Sequence, residues 1–119
     1  MSHAADQSDR VHLEMPATAS AGAIVEYLMV NDSDYRAMTG LAFRLDRETP
    51  SGWAPVELHM ISGLIGLIVE PGQSRQLHAK IPDGTPAGLY RLRQSFRLGP
   101  GGGGTPKFEV AATFRIAAA

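Results

Sequence analysis

The chain has 119 residues, 44% of them apolar, and a formal net charge of −1 from 11 basic and 12 acidic side chains. This length indicates one domain with a modest core, and the balanced charge excludes the strong overall field that draws proteins to nucleic acid or anionic membranes. The lack of cysteine excludes disulfides, thiolate metal sites and cysteine nucleophiles. No apolar run approaches the roughly 20 residues of a membrane-spanning helix, so membrane insertion is not expected.

Apolar residues alternate with polar ones along most of the chain, which is the period of half-buried strands. This pattern predicts strands at 10–15, 22–31, 39–47, 53–57, 64–70, 74–81, 88–98 and 107–116. Glycine, proline and short polar residues separate them, as in NDSD from Asn31 and EPGQS from Glu70. Seven or eight short strands at this spacing predict an all-β fold, an antiparallel sandwich with a barrel as the main alternative.

The last two predicted strands flank the glycine tract GPGGGGTP from Gly99. A phosphate-binding loop would lead into a helix and carry a lysine, whereas here an amphipathic strand follows. The tract is therefore expected to be a flexible hairpin loop. The shared phase of the strands predicts one core formed by Phe43, Leu45, Tyr90, Leu92, Phe96, Val110 and Phe114. On the apolar side of strand 88–98, Gln94 is the one polar interruption.

Three stretches occur in an order typical of one family: VNDSDYRAMTGLAFRLDRETPSGWAPV from Val30, IVEPGQSRQLHAKIP from Ile68 and PAGLYRLRQSF from Pro86. In these turns and strand entries the chain resembles the bacterial immunoglobulin-like domains of secreted and surface proteins. The resemblance implies an antiparallel immunoglobulin-like β-sandwich of seven to eight strands over residues 10–117, preceded at 1–9 by a disordered leader or a remnant of cloning. The sandwich-shaped proteinase inhibitors of bacteria are similar in the same turns and remain the alternative.

The same resemblance implies a non-enzymatic interaction or spacer module of an exported bacterial protein, placed outside the cell, in the periplasm or at the cell surface. The cytoplasm stays an alternative location, and the partner is not identified by the sequence. Within the resemblance, Tyr90 fits a tyrosine corner, in which the hydroxyl bonds back to the preceding turn. Trp53 is expected to cap one end of the core, with carbohydrate stacking as the functional alternative.

Candidate catalytic and metal-binding residues are sparse. His12, His59 and His78 lack the spacing of metal ligands, and no serine stands in a nucleophile-elbow motif. Asp32 and Asp34 could offer oxygen atoms to calcium, but such side chains in a turn normally bond the backbone. We therefore expect no catalytic residues, no metal and no cofactor.

Charge is distributed unevenly between the two sides of the predicted strands. If strands 39–47, 88–98 and 107–116 share a sheet, six basic side chains lie on its outward face against Asp46 and Glu109. They are Arg44, Arg91, Arg93, Arg97, Lys107 and Arg115. Two interpretations are open: cross-strand pairs such as Arg93 with Glu109 or Asp46 satisfy the charges, or the face binds an acidic partner or polysaccharide.

A second unusual segment is rich in aliphatic side chains. Its members are Met60, Ile61, Leu64, Ile65, Leu67 and Ile68. Alternation along one strand would send half of them away from the core. Either both sides of the segment are covered, or an exposed apolar patch associates with a partner. A second copy of the chain would suffice, which makes a weak homodimer the hypothesis to test.

Overall fold

The computed structural model describes residues 4–58, 66–99 and 107–118, and within these ranges it contains ten β-strands, a short 3-10 helix and no α-helix. The 3-10 helix covers Ala4–Arg10. The strands are β1 Val11–Glu14, β2 Thr18–Ala19, β3 Ile24–Asn31, β4 Ala37–Thr39, β5 Arg44–Thr49, β6 Gly52–Pro55, β7 Leu67–Val69, β8 Ser74–Lys80, β9 Gly88–Leu98 and β10 Lys107–Ile116. The predicted all-β class is confirmed, but the described ranges contain ten strands rather than the predicted seven or eight, and their arrangement is not a clear immunoglobulin-like sandwich.

The strands form two sheets. The smaller sheet has the order β1-β3-β8 and is antiparallel throughout. The larger sheet has the order β2-β10-β9-β4-β7, with β5 pairing to both β9 and β6, and it curls into a half-barrel. Strands β9 and β10 form a continuous antiparallel ladder from Arg97 opposite Lys107 to Gly88 opposite Ile116. The glycine tract therefore joins the two strands of a hairpin, although residues 100–106 themselves lie outside the described residues.

The structure departs from the predicted strand pattern in two places. The predicted strand 39–47 is broken into β4 and β5. Thr39 is paired with Phe96 and Arg44 with Arg93 of β9. Between these pairs, the four residues 40–43 lie opposite only two residues of β9, Gln94 and Ser95. This break is a β-bulge with two extra residues, which we call the β4–β5 bulge. In addition, the two-residue strand β2 pairs in parallel with β10, so the larger sheet is mixed rather than purely antiparallel. A strand of two residues is too short to leave an alternating pattern in the sequence.

The N-terminal residues from Ala4 onward contact the turn after β3. The sequence predicted a disordered leader or a remnant of cloning at 1–9, and within this range the chain forms the 3-10 helix from Ala4 onward. The side chain of Gln7 is buried, donates through Nε2 to Asp34 Oδ2 at 3.1 Å and accepts from the Asp34 backbone N–H at 2.7 Å. Paired hydrogen bonds of this kind fix the helix against the turn that follows β3.

The core lies between the two sheets and includes the residues that strand phase predicted. Phe43, Leu45, Tyr90, Leu92, Phe96 and Phe114 are all buried, and Val110 is half-buried at its margin. Along β9 every second residue from Tyr90 to Leu98 is buried, as the alternation requires. The Tyr90 hydroxyl donates to the Pro86 carbonyl at 2.7 Å, which confirms the predicted bond to the preceding turn.

A chain of buried hydrogen bonds links the two sheets through Gln94. The Tyr27 hydroxyl of the smaller sheet donates to Gln94 Oε1 at 2.6 Å. Gln94 Nε2 donates to Thr39 Oγ1 at 3.1 Å and to the Gly40 carbonyl at 2.8 Å, and Thr39 Oγ1 donates to the Ser95 carbonyl at 2.8 Å. The polar interruption in β9 is thus satisfied, and it holds the first residues of the β4–β5 bulge.

The turn after β3 depends on Asn31, which is fully buried. Its Nδ2 donates to the carbonyls of Tyr35 and Val69, each at 2.8 Å, and its Oδ1 accepts from the backbone N–H and hydroxyl of Ser33. One side chain therefore closes the turn and anchors it to β7. Asp32 and Asp34 lie in this turn, and Asp34 contacts Gln7 as described above.

Replacing Tyr27 by Phe should lower the free energy of unfolding at neutral pH by about 1 to 3 kcal/mol, because Gln94 Oε1 would lose its donor in the core. Burial raises the pKa of Tyr27 above its ordinary value. A proton held more tightly by the folded state contributes stability that is complete below the ordinary tyrosine pKa of about 10 and is lost as pH rises further. Wild-type stability should fall by up to about 1.4 kcal/mol per pH unit above pH 10 through this residue.

Urea denaturation between about pH 8 and pH 11 measures both effects. We expect Tyr27→Phe to be less stable than wild type at neutral pH but to lose stability less steeply at alkaline pH. Parallel curves for the two proteins above pH 10 would contradict the account of Tyr27.

Candidate functional site

The ionic pairs predicted from the sequence, Arg93 with Asp46 and Arg93 with Glu109, lie on the outward side of the larger sheet. We use the term outer face for the side of β5, β9 and β10 that points away from the smaller sheet. The outer face includes all six predicted basic residues, Arg44, Arg91, Arg93, Arg97, Lys107 and Arg115, together with Asp46, Ser95 and Glu109. Of these, only Asp46 is fully buried, at 2% exposure.

Asp46 is buried because two arginines of β9 cover it. Arg91 Nε donates to Asp46 Oδ2 at 2.8 Å, and Arg93 Nη2 donates to Oδ1 at 3.1 Å. Arg93 Nε also lies 2.6 Å from Oδ2, but its N–H does not point at an acceptor, so this contact is ionic rather than a hydrogen bond. One carboxylate thus neutralises part of the charge of two arginines.

Arg93 has a second acidic neighbour. Its Nη1 lies 3.4 Å from Glu109 Oε1 on β10. Desolvation lowers the pKa of Arg93, but the hydrogen bond and charge of Asp46, followed by Glu109, outweigh it and raise that pKa above its ordinary value. Arg93 is therefore held charged between β5 and β10, as one of the two sequence interpretations expected.

Trp53 lies beside this ionic cluster. The guanidinium carbon of Arg91 lies 4.7 Å from the centre of the Trp53 ring, a cation–π distance. Trp53 remains 36% exposed, and it pairs with Glu48 in the β5–β6 hairpin. The side chain therefore packs against an outer-face arginine while the residue stays partly exposed to solvent. Sequence alternation alone could not reveal this contact, since β6 is separated from β9 by β5.

Two pairs of like charges face each other across adjacent strands. Arg44 of β5 is directly opposite Arg93 of β9, and Lys107 of β10 is directly opposite Arg97 of β9. Like charges at directly opposed positions destabilise a sheet. Asp46 and Glu109 offset the charge of the first pair only in part. We call Arg44, Arg97 and Lys107 the cationic end of the outer face.

Two adjoining depressions mark the cationic end. One, of about 340 Å³, is lined by Arg44, Ser95, Lys107, Phe108 and Glu109. The other, of about 270 Å³, borders the β4–β5 bulge and is lined by Met38, Thr39, Gly40, Ser95, Phe96, Arg97 and Lys107. Both depressions share Ser95 and Lys107. Within the described part of the chain, the side chains of Arg44, Ser95 and Lys107 make no hydrogen bond or ion pair.

Arg115 lies apart from the other predicted basic residues. It is opposite Leu89 and stands eight positions after Lys107 on β10. At a strand rise of about 3.3 Å per residue, the two backbones are roughly 26 Å apart. The predicted face therefore divides into a neutralised centre around Asp46, the cationic end around Ser95, and Arg115 at the far end. Ser95 was not singled out from the sequence, although it is the one uncharged position between the outward arginines of β9.

The aliphatic segment is described only in part. Met60, Ile61, Leu64 and Ile65 lie outside the described residues, as does His59. Leu67 of β7 is half-buried, and Ile68 is 45% exposed. The Ile68 carbonyl accepts a long hydrogen bond of 3.4 Å from Arg75 Nη1 of β8. The exposed side chain of Ile68 is thus the described member of this segment that is available to a second copy.

Histidines and carboxylates meet on the outward side of the smaller sheet. His12 lies 3.3 Å from Glu14 and 3.9 Å from Asp32, and His78 lies 3.6 Å from Glu26. All these side chains are exposed, and the described residues contain no group of three or more His, Cys, Asp or Glu arranged to hold a metal ion. Among the same residues, no helix has the length and apolar character to cross a membrane.

No protein-family model matches the chain, and a search of curated proteins found no match. The chain is therefore described by its own structure, as an all-β protein of two sheets in which the larger sheet has a basic outer face. Its function has to be argued from that face.

Replacing Asp46 by Asn should lower the free energy of unfolding by about 1 to 3 kcal/mol, because two half-buried arginines would lose their shared carboxylate. Urea denaturation at neutral pH measures the change. Glu109→Gln is the matched control, since Glu109 is exposed and its contact with Arg93 is long, so its cost should stay below about 1 kcal/mol. Equal effects of the two variants would contradict the central role of Asp46.

The homodimer hypothesis predicts that Ile68→Lys shifts the protein toward monomer, because the new charge would have to lose its water on association. Sedimentation velocity across a concentration series measures the shift. Ile24→Lys is the control, since Ile24 is 66% exposed on the smaller sheet and should leave association unchanged. A wild-type protein that stays monomeric throughout, or identical behaviour of the two variants, would rule out pairing through β7.

Proposed function

We propose that the protein is a non-enzymatic interaction module that binds an acidic partner through the outer face of its larger sheet. The cationic end carries this proposal, because Arg44 and Lys107 are exposed and unpaired among the described residues. By strand alternation, the six basic side chains share the outer face with Asp46, Glu48 and Glu109, which leaves a surplus of three positive charges on a chain of net charge −1. A surplus of this kind attracts anions locally without an overall positive charge.

An immunoglobulin-like sandwich is the architecture that we propose for this module. The chain places β1 in the smaller sheet and β2 in the larger one, and the β9–β10 hairpin lies within the larger sheet. The bond from Tyr90 to Pro86 has the form of a tyrosine corner. The turn motifs described above support the same assignment and, with it, export to the periplasm, the cell surface or the medium.

The alternative of a proteinase inhibitor receives no support from the β5–β6 turn, while residues 59–65 and 100–106 lie outside the described residues. An inhibitor presents an extended segment to the cleft of a protease. The β5–β6 turn is compact instead, since Thr49 Oγ1 donates to the Gly52 carbonyl at 2.7 Å and accepts from the Ser51 N–H at 3.3 Å. A closed turn of this kind cannot enter a cleft as an extended strand.

Binding to dextran sulfate, with neutral dextran as the reference, tests the proposed function. We expect affinity for the sulfated polymer to fall steeply as salt rises, because the contacts are between exposed charges. Arg44→Glu combined with Lys107→Glu should weaken binding at least about tenfold, the equivalent of about 1.4 kcal/mol.

Arg10→Glu combined with Lys80→Glu is the charge-matched control for this experiment, since both residues are exposed outside the outer face, Arg10 at the end of the 3-10 helix and Lys80 on β8 of the smaller sheet. It should retain most of the affinity. Equal binding of neutral dextran, or equal losses in the control and in the outer-face variant, would overturn the proposed function.

A further inference from the structure

We infer that Ser95, Arg44 and Lys107 form a subsite for one tetrahedral oxyanion, a sulfate or phosphate group. This inference deepens the proposed function, since the oxyanion would be one group of the acidic partner. It names a position within the outer face and a chemical class of ligand, neither of which follows from positive charge alone.

The subsite combines side chains from three adjacent strands. Ser95 is opposite Glu109 on β10, and Lys107 lies two positions before Glu109 on the same side of that strand. On the other side of β9, Arg44 is opposite Arg93, two positions before Ser95. Arg44, Ser95 and Lys107 consequently line one depression of about 340 Å³. Ser95 is half-buried and lies on the strand between those of Arg44 and Lys107.

The β4–β5 bulge gives the Ser95 side chain its space. No residue of β4 or β5 is paired with Ser95, because the ladder passes from Thr39–Phe96 directly to Arg44–Arg93. The backbone at this position is nevertheless fixed, since the Ser95 carbonyl accepts from Thr39 Oγ1. Bulges commonly lie next to binding sites, where they re-aim side chains and interrupt pairing.

The donors suit a tetrahedral anion better than a carboxylate. A carboxylate offers two coplanar oxygens, which the fork of a single arginine can satisfy. A sulfate or phosphate group offers three oxygens that point in different directions, and here an arginine, a serine and a lysine line one depression from separate strands. Arg97, opposite Lys107, adds positive charge at the second depression.

Glu109 is the one acidic side chain of this depression, and its charge is directed toward Arg93, whose Nη1 lies 3.4 Å from Oε1. The opposed pairs Arg44–Arg93 and Lys107–Arg97 place like charges, which repel each other, directly across adjacent strands at the site. A bound oxyanion would relieve that repulsion, so ligand binding and stability of the sheet should be coupled.

The test is an NMR titration of the full chain with sodium sulfate, sodium phosphate and sodium acetate at constant ionic strength. We expect saturable shifts of the Ser95 amide with sulfate or phosphate and much smaller shifts with acetate. Lys107→Gln and Ser95→Ala should each raise the dissociation constant about tenfold. Arg115→Gln is the matched control, because it removes the same charge from the same face of β10 at the far end of the strand and should leave the constant unchanged.

Polymers then separate this inference from the proposed function and identify the source of the anion. Dextran sulfate and polyphosphate carry tetrahedral groups, whereas polygalacturonate carries carboxylates. Preference for one of the first two identifies a sulfated or a phosphorylated partner.

If all three polymers bind and Lys107→Gln and Arg115→Gln weaken binding equally, the subsite is wrong and the proposed function stands. If free sulfate binds as expected but no polymer does, the subsite stands and the proposed function falls. Equal shifts with acetate, or none with any anion, overturn the subsite.

Discussion

The buried amide of Gln94 is the interaction on which the rest of this structure depends. It accepts from Tyr27 of the smaller sheet and donates to Thr39 and Gly40 at the end of β4. A polar group in this position would be costly if any of its bonds were missing. Because they are all made, the two sheets are fixed relative to each other, and the chain leaves β4 at Gly40.

The position of the outer-face charges follows from that departure. Since β5 rejoins β9 only at Arg44, the carboxylate of Asp46 falls beside Arg91 and Arg93 and becomes buried under them. The burial of the Asp46 carboxylate is tolerated because its charge is paired with two arginines and each of its oxygens accepts a hydrogen bond from one of them. Arg44 is left at the edge of this cluster, and it faces Arg93 without an acid of its own.

The features that could be predicted from the sequence are those decided locally. Strands 88–98 and 107–116 were predicted at their observed bounds, because ten or more alternating residues leave a strong pattern. The same alternation predicted that the six basic side chains lie on the outward face of the sheet. The β4–β5 bulge, the parallel strand β2 and the burial of Asp46 could not be predicted, because each depends on contacts between residues far apart in the chain. Met60, Ile61, Leu64 and Ile65 lie outside the described residues, so their predicted role in association stays a prediction.

The bulge also explains why a sheet surface, which is ordinarily flat, has a recess at Ser95. An unbroken strand 39–47 would pair two of its residues with Gln94 and Ser95, and the side chain of the residue opposite Ser95 would lie beside Ser95 on the outer face. With two extra residues between Thr39 and Arg44, the chain instead moves away from β9, and Gly40 contributes no side chain to the gap. Gln94 then satisfies the freed Gly40 carbonyl from the core side. The same amide that joins the sheets therefore keeps the recess open, with Arg44 and Lys107 on either side of it.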